Sequence, residues 1–172
     1  MSIRLIKIIL CLSLAAFAFL VTLNNVVDYQ SNYAFVRHVL SMDTTFPGNA
    51  LMSRAITQEI LWHAAYWLII AGEAATCLAL LAGTLLLWKR RHAGGAVFNA
   101  GKKYVLVGCT IGFMVWFVGF LVIGGEWFVM WQSPTWKGQD AAFRFCMTIL
   151  GVMIFVNQSD TDMIEAPVET LG

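Results

Sequence analysis

Glu59, His63 and Glu73 interrupt a long apolar run, EILWHAAYWLIIAGEAATCLALLAGTLLLWKRR, and are the residues of this chain best placed to do chemistry. At about 100° per residue, a helix sets all three within about 40° of one line, together with Tyr66, Cys77 and Thr84. A carboxylate in hydrocarbon is costly unless it is protonated, paired or wetted, so this stripe has to face other helices or a partner chain. Glu59 and His63 stand one turn apart, as metal ligands do, but two ligands are too few for a zinc site. A haem would ask for two axial ligands, and His38, the other histidine on that side, falls in a loop. Glu73 has the chemistry of a proton-relay carboxylate. Ser41, Ser53 and Ser133 carry no elbow or triad motif, so no catalytic residue is expected, and neither a metal nor a cofactor.

The elements that position these groups follow from hydropathy. The chain is 59% hydrophobic and 12% charged, with a mean hydropathy of +0.73. Soluble domains carry about 25% charged residues, so composition alone makes this a membrane protein. No basic stripe with interleaved aromatics speaks for nucleic acid. Four apolar runs are expected to form transmembrane helices over residues 3–25, 59–88, 104–127 and 141–156, giving an all-α four-helix bundle over residues 1–158. The first run resembles a secretory signal up to Ala16-Phe17-Ala18, but it continues apolar through Phe19-Leu20-Val21 and reads as a span. Between the first two spans lies a long loop that needs structure of its own, with a short interfacial helix over Ala34–Leu40. Ala93 to Gly101 reads as a glycine-bearing linker, and residues 159–172 as an acidic polar tail. Gly108 and Gly112 form a G-x-x-x-G that permits close helix approach. Trp127, Trp131 and Trp136 concentrate in one turn and read as interfacial aromatics. The four cysteines lie in separate apolar runs and read as small core residues.

Lysine and arginine set the orientation. Arg4, Lys7, Lys89, Arg90, Arg91, Lys102 and Lys103 outnumber Arg37, Arg54, Lys137 and Arg144 on the other side, which places both termini in the cytoplasm. Glu59, His63, Glu73, Glu126 and Arg144 then form an intramembrane polar cluster toward the outer side. Glu73 lies about 21 Å from Leu87 along its helix, a depth at which it is expected to pair with Arg144.

His38 with Met42-Asp43-Thr44, His63-Ala64-Ala65-Tyr66 with Gly72-Glu73, Gly124-Gly125-Glu126-Trp127-Phe128 through Trp136, and Ala142-Phe143-Arg144-Phe145 occur together in this chain. As a set they resemble a bacterial family described only as predicted small integral membrane proteins of unknown function (domain of unknown function 2165). The resemblance runs over about residues 3–158. It implies a four-helix, multi-pass protein of the bacterial inner membrane, and it brings no activity, cofactor or catalytic residue with it. On the residues themselves, the expected function is that of a non-enzymatic accessory or adaptor subunit, whose partners are the lipid bilayer and another membrane protein or a second copy. The alternative is a small oligomeric transporter or channel, for protons or a small solute, that uses Glu73.

Overall fold

The structure, a computed structural model, describes residues 2–161. The described residues are 79% helical, and no strand occurs among them. Helix α1 runs Ile3–Val27, α2 Tyr29–Ser41, α3 Glu59–Lys89, α4 Gly95–Gly101, α5 Lys103–Phe113 and α6 Gln139–Asn157. Beyond Phe113 the α5 rod continues to Trp127 as a wider π-helical stretch and closes with Phe128 N–H donating to the Ile123 carbonyl. Four segments are long and apolar enough to cross a membrane: Ile3–Val27, Glu59–Lys89, Gly95–Trp127 and Gln139–Asn157. The chain is thus an all-α protein with four candidate spans and with its first and last spans starting and ending at the same end of the bundle.

At the other end, called here the loop end, α2 lies against the start of α3. It buries Tyr33, Val36, Val39 and Leu40 against Tyr66, Ile70 and Phe128 to Met130. This helix is longer than the expected Ala34–Leu40 segment, because Tyr29 and Tyr33 stack one turn apart and extend the packed face toward α1. Met42 (φ 53°) and Val129 (φ 46°) hold left-handed backbone, and both are buried in this cluster. A β-branched residue there stores strain that the surrounding packing has to hold in place.

Glycine sets how closely α3 and α5 approach. A Cβ on Gly83 would stand 2.6 Å from the Val105 nitrogen, and one on Gly108 2.9 Å from the Leu80 nitrogen. Both obstacles are backbone, so neither position accepts a side chain without separating the helices. The second glycine of the G-x-x-x-G, Gly112, meets the Thr76 methyl and the Ile149 side chain instead.

The opposite, basic end departs from expectation twice. Residues from Gly95 onward are helical, not a linker, and Phe98 on α4 is fully buried with the Arg4 guanidinium 4.8 Å from its ring centre. Ser159 to Thr161 pack onto the bundle, while the rest of the acidic tail, residues 162–172, lies outside the described residues. Lys7 Nζ and Lys102 Nζ stand 2.6 and 2.5 Å from Asp160 Oδ2, and each ammonium also donates to the Gln158 carbonyl. Arg4 donates to the carbonyls of Arg91, Ala93 and Thr161. One carboxylate therefore ties α1, the junction of α4 and α5, and the chain just beyond α6 together. Burial pushes the Asp160 carboxyl up, but the hydrogen bonds and charges of Lys102 and Lys7 outweigh it and hold it below the ordinary carboxylate value.

Gly108→Ala is expected to lower the melting temperature in detergent by the equivalent of about 1–3 kcal/mol, whereas Gly119→Ala, with nothing within 4 Å of its Cβ, should leave it unchanged. A group with a depressed folded pKa contributes stability that is complete above its unfolded value and is lost as pH falls through the folded value. Thermal unfolding of the wild type should therefore hold steady near neutrality and fall in acid below the ordinary aspartate range. Asp160→Asn should flatten that acid limb and lower stability at pH 7.

Candidate functional site

Inside the loop-end half of the bundle, Glu73 is 2% exposed. Its partner is Asn25, near the end of α1, whose Nδ2 donates to Glu73 Oε2 at 2.7 Å. Asn25 is held in turn from α3, because Tyr66 Oη donates to its backbone carbonyl at 2.9 Å. That carbonyl is one of the last of α1, where the helix leaves its acceptors without intrahelical donors. Asp28 (φ −109°, ψ 55°) breaks the helix there, and the Tyr66 hydroxyl satisfies what the break exposes. The bond pattern links α1 to α3 through side chain and main chain together.

Glu73 Oε1 makes no hydrogen bond to another described residue. The side chain lines a cavity of about 230 Å³. Asn32, Phe35 and Val36 of α2 cover it from the loop end, and Tyr66 and Ile69 of α3 form one wall. On the other side stand Trp116, Phe120 and Phe145. Phe17 of α1 packs against two of these rings, its centre 5.6 Å from that of Trp116 and 4.6 Å from that of Phe145, which themselves meet edge-on. A buried carboxylate beside several aromatic faces is an environment suited to a cation, which gains from the charge and from the ring quadrupoles alike.

The expected pairing of Glu73 with Arg144 is not formed. Arg144 is exposed on α6 and its guanidinium has no partner among the described residues, and Glu126 is likewise exposed at the end of the third span. The reason is rotational: on α6, Ala142, Cys146 and Ile149 take the buried face and turn Arg144 outward. Glu59 and His63 belong to a separate group at the loop end. The Tyr29 hydroxyl lies 2.7 Å from His63 Nδ1, the Tyr33 ring stacks on the imidazole at 4.2 Å, and Glu59 Oε1 stands 3.7 Å from Nε2. His38 pairs with Asp43 and stacks on Trp136 at 4.6 Å, which leaves Trp136 half-buried. Trp127 and Trp131 are exposed, the first beneath the Arg54 guanidinium at 4.6 Å and the second edge-on to Phe46. Among the described residues no three His, Cys, Asp or Glu side chains are grouped as a metal site requires. The four cysteines are buried and free.

Residue types alone did not single out Asn25, the last residue of the first expected span, 3–25. The signal was present: an amide at the depth of an intramembrane carboxylate is a candidate donor for it.

Fold and composition define a small multi-pass integral membrane protein. The chain belongs to the family of predicted small integral membrane proteins (DUF2165), whose model matches residues 3–159. No curated protein and no solved structure gives a significant match.

Glu73→Leu removes the acceptor and leaves the buried Asn25 amide without a partner, which should cost about 1–3 kcal/mol of stability in detergent. Glu73→Gln keeps an acceptor at that position and should cost less. Arg144→Leu should change stability by less than about 0.5 kcal/mol. The Glu73→Leu/Arg144→Leu double variant should then show the plain sum of the two single effects, whereas recovery in the double variant would restore the ion pair.

Proposed function

We propose that this protein is a non-enzymatic accessory subunit of the bacterial inner membrane that binds a small organic cation in the Glu73 cavity. The observation that carries this reading is the carboxylate itself. It is buried, one of its oxygens is held by Asn25 and the other is uncommitted, and rings line the space beside it. Asn25 answers one carboxylate oxygen and leaves the other for a cation, and an ammonium group with an apolar body supplies a counter-charge while filling an aromatic cavity.

The orientation belongs to the same proposal. The positive-inside rule places the basic end and both termini in the cytoplasm, so the cavity and its α2 cover lie toward the outer face. A site covered by α2 and walled by Trp116 and Phe145, with Phe17 packed on both, suits a subunit that senses or holds its ligand and works with a larger membrane partner. The transporter reading rests on the same carboxylate and needs an opening past those three rings.

Titration calorimetry of the protein in nanodiscs with benzylamine tests the site. The wild type should bind with one-site stoichiometry, and Glu73→Gln should weaken binding at least about tenfold, the loss of one buried charge pair, with an unchanged helical spectrum. Equal binding by the two proteins would refute the site. Proteoliposomes loaded with benzyltrimethylammonium, whose permanent charge keeps it from crossing the bilayer unaided, should retain it, and Glu73-dependent efflux would decide for the transporter.

A further inference from the structure

The basic end carries a second feature, independent of the Glu73 cavity. A groove of about 770 Å³ runs between α5 and the end of α6. Its mouth is polar, lined by Asn99, Lys102, Lys103, Asn157 and Ser159, and its depth is apolar, lined by Leu106, Val107 and Ile111. Thr110 also lines the deep part, but its hydroxyl is spent on the Leu106 carbonyl. From Lys103 to Ile111 is about 12 Å along the helix, the span from a headgroup to the upper acyl chain.

We propose that this groove is a binding site for one anionic phospholipid, with its phosphate at Lys103, Asn157 and Ser159 and an acyl chain along Leu106, Val107 and Ile111. Charge complementarity names the occupant. The lysines and arginines gathered at this end face a single carboxylate among the described residues, Asp160. That carboxylate is consumed by Lys7 and Lys102, so the surplus is positive. Lys102 is also saturated, since its ammonium donates to Asn99 Oδ1, the Gln158 carbonyl and Asp160 Oδ2. The mouth donors that carry no side-chain hydrogen bond to another described residue are Lys103, Asn157 and Ser159. Lys103 is exposed and positioned to meet a phosphate diester. The Asp160 clamp fixes Ser159 as one wall, so the groove is shaped by the same contacts that close the bundle.

Native mass spectrometry of the full chain, with phosphatidylglycerol and phosphatidylcholine supplied in equal amounts, tests the proposal. The wild type should retain one phosphatidylglycerol in preference to phosphatidylcholine. Lys103→Gln should lower that retention about fivefold, the value of one lysine near an anionic surface, and Val107→Trp, which fills the groove, should lower it without changing charge. Lys89→Gln removes the same charge at the same end outside the groove and should leave retention unchanged. Equal loss in Lys89→Gln and Lys103→Gln would overturn the site in favour of a diffuse basic surface, and equal retention of the two lipids would overturn it outright. Inorganic phosphate alone should not raise the melting temperature. A rise equal to that given by phosphatidylglycerol would assign the mouth to a free anion and overturn the lipid.

Discussion

A carboxylate inside an apolar bundle has to be answered by something, and in this protein the answer is a single amide. Asn25 donates to Glu73 while its own carbonyl takes the Tyr66 hydroxyl, so three polar groups satisfy one another across α1 and α3. The alternative, an arginine partner, would bring a second charge that also needs desolvation. An amide brings none. It holds one carboxylate oxygen and leaves the other toward the cavity, which separates the group that builds the fold from the atom available for binding.

The two ends of the bundle solve different problems. At the loop end a break in α1 lets α2 fold over α3, where Tyr29, Tyr33 and His63 stack on one another. At the basic end the problem is excess positive charge. Asp160 neutralises part of it and draws the chain after α6 back against α1 and α5. Between the ends, glycines at the α3–α5 crossing allow backbone contact, which fixes the depth at which the side chains of the other helices meet.

Family membership and geometry speak to different questions. The first identifies a small integral membrane protein and carries no activity with it. The second supplies an asymmetric molecule, with an aromatic-walled carboxylate site near one end and a groove edged by lysines at the other. Phe17, Trp116 and Phe145 pack together beside the Glu73 site.

Hydropathy by itself determined the four spans, because a run of about 20 apolar residues has few alternatives to crossing a bilayer. Of the stripe Glu59, His63 and Glu73, only Glu73 is buried, while Glu59 stays exposed at the start of α3, and Gly108 marked the close crossing with α5. What spacing along one helix leaves open is which neighbour supplies the shelter. The rotation of α6, set by Ala142, Cys146 and Ile149 packing inward, sent Arg144 outward and left Glu73 to Asn25. The break at Asp28 divided the stripe between two environments, with His63 given to Tyr29 and Tyr33. Asp160 sat in a polar stretch with no periodicity to mark it, and only the approach of Lys7 and Lys102 from distant parts of the chain made it a buried residue. Local pattern decides whether a helix forms and which face is apolar. The partner of a polar group depends on the relative rotation of helices, and that is settled by side-chain packing over the whole bundle.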